Sequence, residues 1–363
     1  MKSQANSTAV GKIFLRNVGI LVFLGALFSL FAPPDALAVQ VKRVQTGEVY
    51  FDSDDISQNV KVSAVDQTKT FILLYPYMDV STTNNSQNTL YTADFESNSS
   101  IVVSRDGGTV ACTVRYYVVE FVDGVNVQRG ISSFAAGSYT NPDYTTKDIT
   151  LTNSLTNYQN AFVIVQGRSN LTNYYSDQQT TVSGNLTDNN TLHLQRNASN
   201  ETLRATNVVW QVVEFLHNNS TYPDFKTWSG ATTIDIAETN HTAPLSPAIT
   251  NLNQSLLFFT SRAGRGIVGN NTTMYGYENR YRTRGELTNT STATFYRAYQ
   301  NNVANTQVDI QWFVIEFYDQ SSRVQKNTQA IASGTETITG SLAPAVDDTR
   351  SFPIISVSGP NQA

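Results

Sequence analysis

The chain contains few of the residues on which most protein chemistry depends. Its 363 residues include one cysteine and three histidines, and charged residues make up only 15% of it. No HxH, HExxH or CxxC pair occurs, so the patterns of zinc sites and nucleophile–base pairs are missing. A glycine-rich phosphate loop is missing as well. We therefore predict a protein that is not an enzyme and that carries no metal and no cofactor.

Charge of either sign is too sparse and too scattered to attract a polyanion. Lysine and arginine number 24 against 29 acids, which gives a net charge of -5, and no basic run occurs. This excludes the electrostatic pattern of nucleic-acid binding and of anionic membrane surfaces. Aromatic residues at 11% and abundant Asn, Ser and Thr favour instead a neutral-surfaced extracellular β protein.

The single cysteine, Cys112, excludes a disulfide within the chain. It lies in the apolar run VACTVRYYVV, where we expect it to be a small buried core residue. A bridge to a second chain is the alternative. The protein must therefore be held together by ordinary apolar cores.

Only the N-terminus carries a long apolar run. Lys2, Lys12 and Arg16 precede VGILVFLGALFSLFA, and the small-residue site Ala36-Leu37-Ala38 follows. This is the layout of a signal peptide, residues 1–38, that is cut after Ala38; an uncleaved anchor is the alternative. The run is shorter than the roughly 20 residues that span a bilayer. We expect a secreted or cell-surface protein with no membrane span in the mature chain.

What is present in quantity is repetition. An apolar word that ends on Glu-Phe occurs three times, about 100 residues apart, which is the length of a small domain. These closing words are RYYVVEF at 115–121, VWQVVEF at 209–215 and QWFVIEF at 311–317. Four opening words alternate with them: VQTGEVYF at 44, VQRGISSF at 127, FKTWSG at 225 and VQKNTQAI at 324. The predicted boundaries are 39–123, 124–217, 218–320 and a partial fourth repeat at 321–363. The partial repeat has about half the strands of a sandwich, and truncation of a longer repeat array is the simplest interpretation. Completion of a sandwich in a neighbouring subunit, which would make a fibre by strand addition, is the alternative.

Within each repeat, short runs rich in Val, Ile, Thr, Tyr and Phe are separated by Gly, Asn, Asp and Ser clusters. This pattern predicts antiparallel strands joined by turns. Each repeat has a polar strand, an apolar middle strand such as FILLYPY or FPIISVS, and a strand that leads to Arg105, Arg196 or Arg297. Five or six strands per repeat suffice for two packed sheets. The predicted fold is all-β, with three complete tandem antiparallel β-sandwiches and one partial one.

This order of words resembles the H-type lectin domain, a six-stranded antiparallel sandwich of secreted sugar-binding proteins. It is also similar to tandem VQRG…WxVVEF-type repeats of secreted bacterial surface proteins. The resemblance implies the sandwich and an extracellular role in recognition or structure, but it transfers no binding site. Two departures are FKTWSG, which lacks the VQ-x-G word, and Tyr116, which replaces the Trp210 and Trp312 of the other closing words.

The acids of the closing words, Glu120, Glu214 and Glu316, are expected at the rim of a buried central strand. There they would accept hydrogen bonds from backbone amides or from an arginine such as Arg129. The strand-end arginines at 105, 196 and 297 are alternative partners. A catalytic role is disfavoured because no second carboxylate recurs near them.

Ligand contacts are expected in segments of variable length that follow the middle strands. Tyr and Arg suit stacking on sugars or anchoring a protein partner, and an edge strand with outward tyrosines is the alternative. The candidates are Tyr174, Tyr175, Tyr275, Tyr277, Arg280, Tyr281 and Arg284. The acids Asp52, Asp54 and Asp55 could hold calcium but lack the pattern of a calcium loop, so turn acids are favoured.

Two functions are therefore predicted. The first is a structural or adhesive surface protein, as a stalk or fibre component. The second is an array of carbohydrate-binding modules. The partners expected are glycans, other surface proteins, or a second copy through the partial repeat 4.

Overall fold

A computed structural model describes residues 39–77, 90–107, 110–138, 141–169, 181–196, 202–216, 224–236, 238–263, 282–297, 307–318, 322–332 and 337–358. In these ranges the regular structure is antiparallel β strand with single turns of 3-10 helix. The all-β prediction is confirmed. No helix in the described ranges is long and apolar enough to cross a membrane.

The described residues of the first unit form six strands in two sheets. Its strands are β1 (Val41–Phe51), β2 (Ser57–Lys61), β3 (Thr70–Tyr77), β4 (Thr92–Ser97), β5 (Ser100–Ser104) and β6 (Cys112–Phe121). One sheet has the order β1-β6-β3 and the other β2-β5-β4, and every pairing is antiparallel. The closing word is thus the centre of its sheet, with the opening word on one side and the middle strand on the other.

The second unit repeats this arrangement and adds one short pair of strands. Its strands are β7 (Val125–Phe134), β8 (Gly137–Ser138), β9 (Thr146–Thr150), β10 (Ala161–Arg168), β11 (Val182–Leu186), β12 (Thr191–Arg196), β13 (Thr202–Leu203) and β14 (Thr206–Phe215). The sheets have the orders β10-β14-β7 and β11-β12-β9, and β8 pairs with β13.

The third unit again has six strands within its described ranges. These are β15 (Phe225–Ile234), β16 (Asn240–Pro244), β17 (Ser255–Ala263), β18 (Thr283–Asn289), β19 (Thr292–Arg297) and β20 (Val308–Phe317). The sheets have the orders β15-β20-β17 and β16-β19-β18. Three units with the same strand order follow one another, as the repeated words predict.

The three closing strands β6, β14 and β20 are buried almost throughout because they are apolar on both faces. One face lies in the core of its own unit, where Trp210, Val208 and Val212 pack with Leu194. Cys112 is buried in the corresponding core of the first unit, which agrees with its predicted core role.

The other face of each closing strand lies in a fourth apolar cluster that the three units share. This shared cluster contains Phe71 of the first unit, Phe162 of the second and Phe258 of the third. The ring centroids of Phe71 and Phe162 are 6.0 Å apart, and those of Phe162 and Phe258 are 3.8 Å apart in a stacked arrangement. The units therefore surround a common core, and no one of them is independent of its neighbours.

Each middle strand begins after a 3-10 turn that a side chain caps. In the three units Asp66, Asn157 and Asn251 accept from the amide two residues further on, at 2.9, 3.0 and 2.9 Å. Asp347 makes the same bond to the amide of Thr349 at 3.0 Å. The partial fourth repeat therefore forms the turn of a complete unit.

The described residues of the fourth repeat, 322–332 and 337–358, form no strand. The prediction of strands at VQKNTQAI and FPIISVS is thus wrong for this chain. The reason is that opening and middle strands pair with a closing strand in the sheets of all three units, and the sequence has no fourth closing word. The segment nevertheless packs on the units, since the Phe352 ring lies 5.5 Å from that of Phe71.

Candidate functional site: the strand ends and the junctions between units

The closing glutamates hold the turn that precedes the middle strand of the same unit. Glu120 accepts from the amide of Asp66 at 3.0 Å, and Glu214 from that of Asn157 at 2.8 Å. Glu316 accepts from the amides of Thr250 and Asn251 at 2.7 and 2.6 Å. All three side chains are buried. This is the amide-bound, structural role that the sequence predicts.

Glu120 has two cationic partners in addition. The Lys42 ammonium lies 2.9 Å and the Arg43 guanidinium 2.7 Å from its oxygens. Burial opposes ionisation, but the Asp66 amide and the two cations outweigh it and lower the pKa of Glu120 below its ordinary value. The acid is therefore stabilised in its charged form.

Arg43 is an arginine of the same unit as the acid that it contacts, Glu120, which is one of the two kinds of partner expected. The arginines named from the sequence donate elsewhere. Arg105, Arg196 and Arg297 lie at the strand ends and donate mainly to backbone carbonyls. Arg196, fully buried, donates to the carbonyls of Tyr144 at 2.6 Å and Ala135 at 2.8 Å and to that of Arg204. Its burial lowers its pKa to about 10. Arg297 donates to the carbonyls of Glu238 and Asp235 in the same way. These arginines hold the loops near the strand ends in place.

The aromatic residue of each closing strand lies on a glycine of the opening strand beside it. A Cβ on Gly130 would stand 2.5 Å from Trp210, and one on Gly230 would stand 2.7 Å from Trp312. Tyr116 covers the equivalent glycine of the first unit. The glycine of the VQ-x-G word is thus required by the aromatic of the closing word, and FKTWSG retains it.

The predicted ligand contacts fall almost entirely on residues that the structure does not describe. Tyr174, Tyr175, Tyr275, Tyr277, Arg280 and Tyr281 lie outside the described residues. Arg284 is described and is engaged, with its guanidinium 2.9 Å from Glu286 and 4.1 Å over the Tyr296 ring. The sequence candidates therefore assemble no binding surface within the described ranges.

The acids of FDSDDIS act within a turn. Asp55 accepts from the amide of Asp52 at 2.8 Å and from Gln58 at 2.9 Å, while the Asp52 carbonyl accepts from Arg105. In the part of the chain that the structure describes, no three His, Cys, Asp or Glu residues lie together as metal ligands would. The geometry here is that of turn acids.

The first junction, between units 1 and 2, is closed by glutamine side chains. The carboxamide of Gln211 accepts from the amide of Ile72 at 2.8 Å and donates to its carbonyl at 2.9 Å. It thereby pairs with the edge of β3 as a neighbouring strand would. Gln166 donates to the same carbonyl and accepts from the amide of Ala93 at 2.7 Å. Sequence reasoning missed this site because the strand edge is recognised by its backbone.

Arg129 completes the first junction. It donates to the carbonyls of Gln67, at 2.7 Å, and Thr70, and its guanidinium lies 4.6 Å over the Phe95 ring. Burial lowers its pKa to about 10. The arginine foreseen as a partner for a glutamate thus joins two units.

At the second junction, between units 2 and 3, the equivalent positions carry smaller or apolar side chains. Ser229 stands where Arg129 does, one residue before the covered glycine, and Phe313 stands where Gln211 does, three residues before the closing acid. The result is a cavity of about 230 Å³. Aromatic and polar groups line it, among them Tyr158, Asn185, Thr260, Gln311 and Trp312.

One hydrogen bond recurs at every junction. The amide at the same position of β4, β11 and β18 donates to a side chain at the same position of the next repeat's middle word. The Ala93 amide donates to Gln166 at 2.7 Å and the Gly184 amide to Thr260 at 3.1 Å. The Gly285 amide donates to Ser356 of the fourth repeat at 3.2 Å. The acceptor is different in each case, but its position in the repeat is the same.

No protein-family model and no curated protein matches the chain. The assignment of a role therefore depends on the geometry of the strand ends and the junctions.

Proposed function

We propose that the chain is a non-enzymatic structural and adhesive protein of the cell exterior, a component of a stalk or fibre. The observation that carries this proposal is the shared core, in which the three units pack on one aromatic cluster and join through one recurring hydrogen bond. Such a junction gives a stiff body with a repeated surface. This suits a protein that bears mechanical load and contacts other surfaces more than one that catalyses a reaction.

The buried ionisable groups support the same role. The closing glutamates bind turn amides and the strand-end arginines bind loop carbonyls, so these charges stabilise loops and strand ends. An acid poised for catalysis needs a companion within hydrogen-bond reach of substrate. Each of these acids instead accepts at least one backbone amide of its own unit.

The test is attachment of the source cells to surfaces and to one another. Deleting the gene should lower attachment, and the full chain should restore it. A chain without residues 1–38 serves as the control, because it keeps residues 39–363 and lacks only the proposed signal peptide, and it should fail to restore attachment. Restoration by the leaderless chain, or unchanged attachment after deletion, would contradict the proposal.

Carbohydrate binding is the second candidate, and the cavity between units 2 and 3 favours it. Flat aromatic faces beside amide and hydroxyl groups are what sugar rings require. Ser229→Arg copies the side chain that fills the first junction, so it should close the cavity while preserving the fold. If glycans bind here, a glycan array should lose its signals with Ser229→Arg and retain them with Ser229→Ala. Equal arrays for both variants would remove this site.

A further inference from the structure

The cavity between units 2 and 3 corresponds to the place that the Arg129 guanidinium fills at the first junction. Four residues of unit 1 surround that guanidinium, namely Gln67, Thr70, Phe95 and Asp94. Their counterparts in the capped turn, β10 and β11 of unit 2 all line the cavity, and they are Tyr158, Ala161, Leu186 and Asn185. The cavity is therefore the guanidinium site of the second junction.

The backbone acceptors of that site are kept in the cavity. At the first junction the carbonyls of Gln67, at 2.7 Å, and Thr70 accept from Arg129. The corresponding carbonyls belong to Tyr158 and Ala161, and no side chain of the described residues donates to either. These carbonyls can therefore bind a ligand that carries hydrogen-bond donors.

The groups that favour a positive charge at the first junction are not kept. Asp94, which attracts Arg129, is replaced by Asn185. The Phe95 ring, over which the guanidinium lies, is replaced by Leu186, so the cation–π contact is lost. None of the described residues that line the cavity carries a charge. A charged ligand would lose its hydration there without gaining a partner of opposite sign.

The third junction, between unit 3 and the fourth repeat, shows that this loss of charge is specific to the second. Lys326 of the fourth repeat and Glu286 of unit 3 hold the positions of the arginine and the aspartate of the first junction. These two side chains attract each other. The second junction has a neutral pair, Ser229 and Asn185, at the positions where both other junctions have opposite charges.

The polar side chains of the cavity are neutral and available to a ligand. Those of Asn185, Ser229 and Gln311 make no hydrogen bond with any described residue. By the sheet register, Ser229 and Gln311 lie on the same face as Phe313, which is directed at Phe162 of unit 2. The volume of about 230 Å³ is below the roughly 300 to 1,000 Å³ of pockets for drug-sized ligands, so it suits one small ring.

We propose that this cavity binds one neutral sugar ring, whose hydroxyl groups donate to the carbonyls of Tyr158 and Ala161 and bond with Asn185 and Ser229. The proposal rests on the carbohydrate-binding candidate and narrows it to uncharged sugars. Hydroxyl groups both donate and accept, so they match carbonyls and an amide together. Amino sugars and sugar acids are disfavoured, because each would bring a charge that no lining residue balances.

The experiment measures the binding of methyl glycosides to residues 39–363 by saturation-transfer NMR. The probes are methyl glucoside, galactoside and mannoside, each in its neutral, amino and uronic acid form, at a slightly acidic pH where the amine is protonated. The neutral form of the sugar that binds should bind at least about tenfold more tightly than its two charged forms. Ser229→Arg should abolish binding and Ser229→Ala should preserve it. Wild-type thermal unfolding of both variants separates a closed cavity from a lost fold.

Asn185→Asp introduces the acid that the other two junctions have and should change the preference. The amino form should bind this variant at least about tenfold more tightly than it binds the wild type, since its ammonium gains a partner. Asn185→Ser removes the amide without adding charge, so it is the control and should show no such gain. An unchanged affinity of Asn185→Asp for the amino form would place the sugar away from Asn185 and contradict the proposal.

Three further results would overturn the proposal. Equal or tighter binding of a charged form, lost in Ser229→Arg, would keep the carbohydrate site and reject the neutral ligand. Binding that persists in Ser229→Arg would place the sugar outside this cavity. No binding of any form at the highest soluble concentration would reject the carbohydrate-binding candidate together with the neutral ligand, while the adhesive role would still be decided by the attachment of cells.

Discussion

At the scale of single residues, the closing glutamates show how a buried acid is stabilised by its own unit. Each lies at the end of an apolar strand and accepts backbone amides of the turn before the neighbouring strand. The acid and its rim position could be predicted from the repeated word. Backbone amides were among the predicted partners, but which amides they are could not be predicted, since a backbone amide has no side-chain signature in the sequence.

Glu214→Gln should lower the free energy of unfolding by about 1.5 to 3 kcal/mol, because the charged hydrogen bond between the buried Glu214 and the Asn157 amide becomes a neutral one. Chemical denaturation of residues 39–363 measures this. Glu96→Gln is the matched control, since Glu96 is exposed and its loss should change stability by no more than about 0.5 kcal/mol. Equal effects of the two substitutions would refute the structural role of Glu214.

The stability that Glu120 contributes should depend on pH. Its folded pKa is lower than its unfolded pKa, which is about 4.3. Folding therefore favours the ionised form, so the contribution is complete above the unfolded pKa and is lost as pH falls through the folded pKa. The difference in unfolding free energy between the wild type and Glu120→Gln should be constant above about pH 5 and shrink below about pH 4.3. An increase of this difference on acidification would contradict the prediction.

At the scale of elements, facing side chains of the opening and closing strands are matched in size, a glycine on one strand against a large aromatic on the other. Gly130 pairs with Trp210 and Gly230 with Trp312, and each indole covers the glycine opposite it. The words VQ-x-G and WxVVEF are therefore two halves of one packing contact. The sequence shows both words, but their pairing becomes evident only when the register is known.

Gly130→Ala should destabilise the protein by about 1 to 3 kcal/mol, since the new methyl group would overlap the buried Trp210 ring. Thermal and chemical unfolding would detect this change. At Gly340 a Cβ would meet only the ends of exposed polar side chains, so Gly340→Ala is the control and should be nearly neutral. A neutral Gly130→Ala would mean that the ring can move aside.

The local sequence pattern predicted the strands of the three units. In the fourth repeat the same pattern predicted strands that do not form. FPIISVS resembles FILLYPY in its apolar residues, yet β3 is a strand because β6 pairs with it, whereas no strand among the described residues pairs with residues 352–358. A strand is a property of two segments, so propensity alone does not establish one. The capped turn at Asp347 forms in both settings because its bonds are local.

At the scale of the whole molecule, the junctions decide how the units are arranged. The separate words predict separate sandwiches, and a linear row of them would be the simplest expectation. The shared cluster around Phe162 instead makes the units surround a common core. The sequence does not reveal this, because the residues of the cluster look like ordinary strand residues of their own unit.

Gln211→Ala should weaken the first junction by about 1 to 3 kcal/mol, because the Ile72 amide loses its acceptor while the Ile72 carbonyl keeps only the Gln166 carboxamide. The expected result is earlier unfolding and faster proteolytic separation of unit 1. Gln311→Ala is the control, since Gln311 lines the cavity of the second junction. Retention of unit 1 in the Gln211→Ala protein would show that the apolar cluster alone holds the junction.

The difference between Arg129 and Ser229 means that the three sandwiches are not interchangeable parts. If their order along the gene were permuted so that the third unit followed the first, Phe313 would face the polar edge at Ile72 and Ser229 would leave Phe95 uncovered. Duplication can generate such a protein, but each copy then becomes specific for its own neighbours. Recombination between copies would therefore produce proteins whose junctions do not fit.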